Sequence, residues 1–89
     1  MNGQKFEILS KNLSTKSRHI VGGFFYHFSN ALKKIPYLDH AKLFVKEAKQ
    51  GGLFEVVLSL ISQRGNTKVI KKEGKNLNHV LQKIKIKRV

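Results

Sequence analysis

The chain has 89 residues, with 18 Lys and Arg against 5 Asp and Glu, giving a net charge of +13. That length holds one small domain with a thin single core, and 40% apolar residues are enough to build it. There is no cysteine, which excludes a disulfide framework, a thiolate metal site and a cysteine nucleophile, and no apolar run nears the ~20 residues of a membrane span.

Lys5-Phe6-Glu7-Ile8 alternates polar and apolar residues and predicts a short strand, fading near Ser10 to Asn12. Ser14 or Thr15 then offers an N-cap. From Lys16 to Ile35 the apolar residues fall at helical spacing. Ile20, Phe24, Phe28 and Leu32 repeat every four, and Val21, Phe25, Ala31 and Ile35 widen the stripe. The opposite face carries Lys16, His19, Tyr26, Asn30, Lys33 and Lys34, with Arg18 at its edge. Pro36 is expected to end this helix.

The period then changes. Ala41, Leu43 and Val45 alternate with Lys42, Phe44 and Lys46, predicting a strand, and Gln50-Gly51-Gly52 is a turn signal after it. Phe54, Val56, Leu58 and Leu60 predict a longer strand, and Val57 and Ile61 on its other face suit a central position. Arg64-Gly65-Asn66 reads as a turn. Lys68 to Lys72 reads as a shorter strand whose lysines suit an edge. The short loops make these three strands antiparallel neighbours. Asn76 caps a last helix with Leu77, Val80, Leu81 and Ile84 on one face. Lys83 to Lys87 also alternates with period two, so a terminal strand is the alternative there. The predicted fold is α+β, in the order β-α-β-β-β-α. Its four-stranded sheet carries two helices packed on one face, as a single domain over residues 1–89.

The charge is divided along this order. Residues 1–38 carry six Lys and Arg against Glu7, residues 39–63 are neutral, and residues 64–89 carry nine Lys and Arg against Glu73. A basic body with neutral centre and basic flanks suits a polyanion, nucleic acid ahead of an anionic membrane. His19 and His79 lie beside lysines and could donate to phosphate. Tyr26, among basic residues, could stack on a base. Phe24, Phe25 and Phe28 fit the core instead. Gly22-Gly23 inside the helix costs ~1 kcal/mol per glycine relative to alanine. It implies either close packing or room for a nucleic-acid backbone.

No catalytic constellation emerges. The acids form no close pair for acid–base work, and the histidines lack the i, i+4 spacing of helical metal ligands. No phosphate-cradling G-x-x-x-x-G-K-[ST] segment occurs. The expectation is a protein that is not an enzyme and needs no cofactor or metal.

Several local patterns resemble the family of ribosome hibernation promoting factors and ribosome-associated inhibitors. They include Asn12 ahead of the first helix, the lysine pair at its end, and the strand Ala41-Lys42-Leu43-Phe44-Val45-Lys46. The stretch Lys72-Glu73-Gly74-Lys75-Asn76-Leu77-Asn78-His79-Val80-Leu81-Gln82-Lys83-Ile84 is similar to the family's strand exit and final helix. The resemblance covers nearly the whole chain. It departs in a shorter last helix, a shorter link between the second and third strands, and no dimer-forming second domain, so it is to the short form.

The resemblance implies binding to the small ribosomal subunit in the channel used by messenger and transfer RNA, with translation repressed under stress or in stationary phase. It implies ribosomal-RNA contacts at Lys16, Arg18, Lys33 and Lys34, and at Lys75, Lys83, Lys85, Lys87 and Arg88. His19, Tyr26 and His79 complete the expected RNA-binding set. A cytoplasmic protein is expected, monomeric when free, with no membrane partner and no small-molecule substrate. Two alternatives stay open: a double-stranded-RNA-binding or other RNA-binding module, and a small inhibitor domain for an acidic protein.

Overall fold

Alternating strands and two amphipathic stretches assemble in the predicted order. The computed structural model describes residues 4–48 and 52–84. The elements are β1 (Lys5–Lys11), α1 (Thr15–Leu32), β2 (Leu38–Glu47), β3 (Phe54–Ser62), β4 (Thr67–Gly74) and α2 (Leu77–Lys83). They form one sheet in the order β1-β2-β3-β4. β1 pairs parallel with β2, while β2, β3 and β4 form an antiparallel meander. β3 is central and β4 is an edge, as their sequences predict.

Both helices cover the same face of the sheet. α1 packs on β1 and β2, α2 packs on β3 and β4, and the helices touch each other. The core lies between the layers. Val21, Phe28 and Leu32 of α1 and Val80, Leu81 and Ile84 at α2 meet Ala41, Leu43 and Val45 of β2 and Val56 and Leu58 of β3. Each of these side chains is removed from water, and full burial of one Val, Leu or Phe contributes ~1.5–3 kcal/mol. Phe24 and Phe25 are partly buried against this core. The Phe24 ring stacks on Phe28 with centroids 5.1 Å apart. The phenylalanines are thus packing residues.

The junctions follow local chemistry. Asn12 adopts a left-handed conformation, φ 61°, and turns the chain out of β1. Ser14 is the N-cap of α1, its hydroxyl accepting from the Ser17 N–H. Asn76 does the same for α2 through the His79 N–H. The α1 helix ends at Leu32, earlier than Ile35. The N–H groups of Lys34 and Ile35 donate three residues back, to Ala31 and Leu32. The last turn therefore tightens before Pro36 is reached, which swings the chain toward β2. Ala31, in the last turn of the helix, is exposed and not part of the buried stripe. The side-chain amide of Gln4 donates to the carbonyls of Ile35, at 3.0 Å, and Leu38, at 3.1 Å. It pins the start of β1 to this turn.

α2 runs to Lys83 with Ile84 as its C-cap. The choice between helix and strand beyond Ile84 falls on residues 85–89, outside the described residues.

Candidate nucleic-acid interface

The helical layer carries the basic residues because its apolar stripe is spent on the core. Opposite that stripe on α1, Lys16, His19, Tyr26 and Asn30 are all exposed, and Lys33 follows in the same register. Arg18 is exposed on the flank, and Lys34 follows the C-cap. Tyr26 is 66% exposed and meets His27 edge-on, with ring centroids 5.3 Å apart. Gly22 and Gly23 sit within this same exposed run, between His19 and Tyr26. A Cβ at either would meet nothing within 4 Å. Close packing is therefore not their reason. They leave a bare stretch of backbone in the middle of the basic face.

α2 continues the surface. His79 and Lys83 are exposed, and Lys75 is exposed just before the cap. Both helices begin at the same end of the sheet, because β1 and β4 run in the same direction. Lys16, Arg18 and His19 thus start from the end where Lys75 lies. Lys33 and Lys34 sit at the opposite end of α1. Of the expected set, nine residues share the helical layer. Lys85, Lys87 and Arg88 lie outside the described residues.

The electrostatics of this layer are one-sided. Neither helix contains an Asp or Glu. The first turn of α1 carries Lys16 and Arg18 where a carboxylate would complement the helix dipole. That placement disfavours the isolated helix and favours a bound anion. Lys33 and Lys34 stand at the opposite terminus, where the dipole favours cations.

Two basic residues are not apparent from the sequence. Register places Lys68 opposite Leu60 and Lys72 opposite the buried Val56. Both lysines therefore project from the helix-covered side of the sheet, along the β4 edge beside α2. The period-two spacing of Lys68, Ile70 and Lys72 carries that signal. Lys71, which faces the other side, hides it. Three of the acids, Glu7, Glu55 and Glu73, also lie on that other side by register. Among the described residues, no group of His, Asp or Glu is arranged to hold a metal ion. No helix among them is long and apolar enough to cross a membrane.

No protein-family model and no curated protein sequence matches the chain. Solved structures do match its fold. The ribosomal subunit interface protein from Coxiella burnetii superposes with a TM-score of 0.62 at 8% identity. The match covers 91% of this chain and 85% of that one. The N-terminal domain of Thermus thermophilus Protein Y gives 0.49 at 15% identity, over 94% of this chain and 91% of that domain. The chain therefore shares the fold of the Coxiella burnetii protein, a four-stranded sheet with two helices on one face.

Proposed function

We propose that this chain is a ribosome-binding hibernation factor, acting in the cytoplasm by occlusion and not by chemistry. It binds ribosomal RNA of the small subunit and blocks the path of messenger and transfer RNA. The observation that carries this reading is the acid-free, lysine-rich helical layer on a fold shared with a ribosomal subunit interface protein. Phosphate neutralisation supplies most of the affinity, and the curved shape of folded RNA sets the placement. Tyr26 stacks on an unpaired base, while His19 and His79 donate to phosphate.

The test is co-sedimentation with purified small subunits across a salt series. Lys33→Glu with Lys34→Glu, or Lys83→Glu with Lys85→Glu, is expected to weaken binding. The slope of log affinity against log salt should fall by ~0.7–0.9 for each phosphate that is no longer neutralised. Sedimentation unchanged by both double reversals overturns the reading. Equal binding to bare duplex RNA identifies a general RNA module. Capture from a lysate that survives nuclease identifies an acidic protein partner.

A further inference from the structure

The open face of the sheet, away from the helices, has its own pattern. Register sorts its residues into four rows running from β1 to β4. They are Lys5-His40-Ile61-Thr67, Glu7-Lys42-Ser59-Val69, Leu9-Phe44-Val57-Lys71 and Lys11-Lys46-Glu55-Glu73.

Two things about these rows are costly for an isolated chain. The last row sets Lys11 directly opposite Lys46 and Glu55 directly opposite Glu73, with Lys46 and Glu55 opposite each other in its middle. Like charges opposite one another on neighbouring strands destabilise a sheet. Lys11, Lys46 and Glu73 make no ion pair with another described residue, whereas Glu55 bonds Lys71 at 2.8 Å. The face also exposes apolar side chains. Leu9 is 48% and Val69 60% exposed, and Phe44, Val57 and Ile61 are half-buried.

A two-fold axis lying between two such faces, along the strands, offsets the first cost with opposite charges and covers the apolar side chains. It sets β1 against β4 and β2 against β3 of the other copy, and keeps each row level with itself. Lys11 and Lys46 then face Glu73 and Glu55 of the second copy, and the reverse holds by symmetry. In the adjacent row Phe44 faces Val57 twice. The pattern is self-complementary, as an isologous interface requires. The ~30° rotation usual for aligned sheets leaves lysine-length side chains within reach. This is the less basic side of the molecule, since Glu7, Glu55 and Glu73 offset its lysines. At ~0.15 M salt the remaining charge is screened beyond ~8 Å.

We infer that the chain forms a reversible homodimer through the open sheet face, with both helical layers left outward. Four strands ~4.8 Å apart and about eight residues long cover ~500 Å² per copy. The total, ~1,000 Å², is at the lower limit of specific interfaces. The dimer is accordingly weak, and it stands in equilibrium with the monomer expected from the sequence. It rests on the rows alone and does not depend on ribosome binding.

Sedimentation equilibrium of nuclease-treated protein tests it, over a concentration series reaching ~1 mM. The native chain is expected to pass from monomer to dimer. Lys11→Glu with Lys46→Glu makes the last row wholly acidic, and Glu55→Lys with Glu73→Lys makes it wholly basic. Each variant alone should dimerise at least ~10-fold more weakly, because like charges then face each other. An equimolar mixture of the two should recover association, since the acidic row now meets the basic one. Circular dichroism checks that both variants fold, and Phe44→Ser supplies a second disruption away from the charged row. A native chain that stays monomeric throughout overturns the inference. So does self-association that both charge variants and Phe44→Ser leave intact.

Discussion

Gly74, the last residue of β4, lies directly under Val80 of α2. A Cβ on the glycine would come within 3.1 Å of the valine Cγ2. Val80 is 1% exposed and held on all sides, so it has little freedom to retreat. Gly74→Ala is therefore expected to destabilise the fold by ~1–3 kcal/mol, the usual cost of overpacking. A thermal melt should show Tm lower by several degrees, at ~4–8 °C per kcal/mol for a domain of this size.

Gly22 and Gly23 predict the opposite sign. Neither has a neighbour that a methyl group would strike. Gly22→Ala and Gly23→Ala should each add ~0.5–1 kcal/mol of stability by restricting the unfolded chain. The same substitutions fill the bare stretch between His19 and Tyr26. Melts paired with small-subunit binding should show Tm rising while affinity falls. A rise in both would remove these glycines from the interface.

The Glu55–Lys71 pair sets an acid limb. The bond from Lys71 holds the Glu55 carboxyl below its ordinary 4.5, with the lysine charge adding to the effect. The same bond raises Lys71 above 10.5. The Glu55 contribution is present above pH 4.5 and is lost as pH falls through the lowered value. The Lys71 contribution is present below pH 10.5 and is lost as pH rises through the raised value. Lys71→Met should return the Glu55 titration, followed by carboxyl carbon NMR, to its ordinary range. An unmoved titration would show that the pair does not persist in solution.

Lys68 and Lys72 extend the proposed RNA surface along the β4 edge. Lys68→Glu with Lys72→Glu should weaken small-subunit binding about as much as the Lys33 and Lys34 reversals. Lys71→Glu, on the other side of the same strand, should leave that binding nearly unchanged. Side-by-side sedimentation of the three variants decides whether the interface ends at α2 or reaches the sheet edge.

The element order was legible because each element shows one period and one cap. Phe24 and Phe28 at helical spacing, Ser14 and Asn76 at N-caps, and alternation through Val56 and Leu58 all agree. What the sequence hid depends on partners far along the chain. Nothing around Lys33 shows that the helix tightens there, since the turn is fixed partly by Gln4, some thirty residues upstream. The side on which Lys68 and Lys72 emerge follows from pairing with Leu60 and Val56, not from their own neighbours. The rows that join Lys11 to Glu73 exist only once all four strands have found their register.

The parallel pairing of β1 with β2 has a kinetic meaning. β2, β3 and β4 follow one another in sequence with few residues between them, so their pairing costs little chain entropy. Lys5 meets His40 only after the whole of α1 has been folded back between them. Non-local pairings of this kind form slowly. β1 should therefore be the last strand to dock and the first to leave. Amide hydrogen exchange under native conditions should find Phe6 to Ser10 exchanging well before Leu43 to Val45, even though the two strands lie side by side.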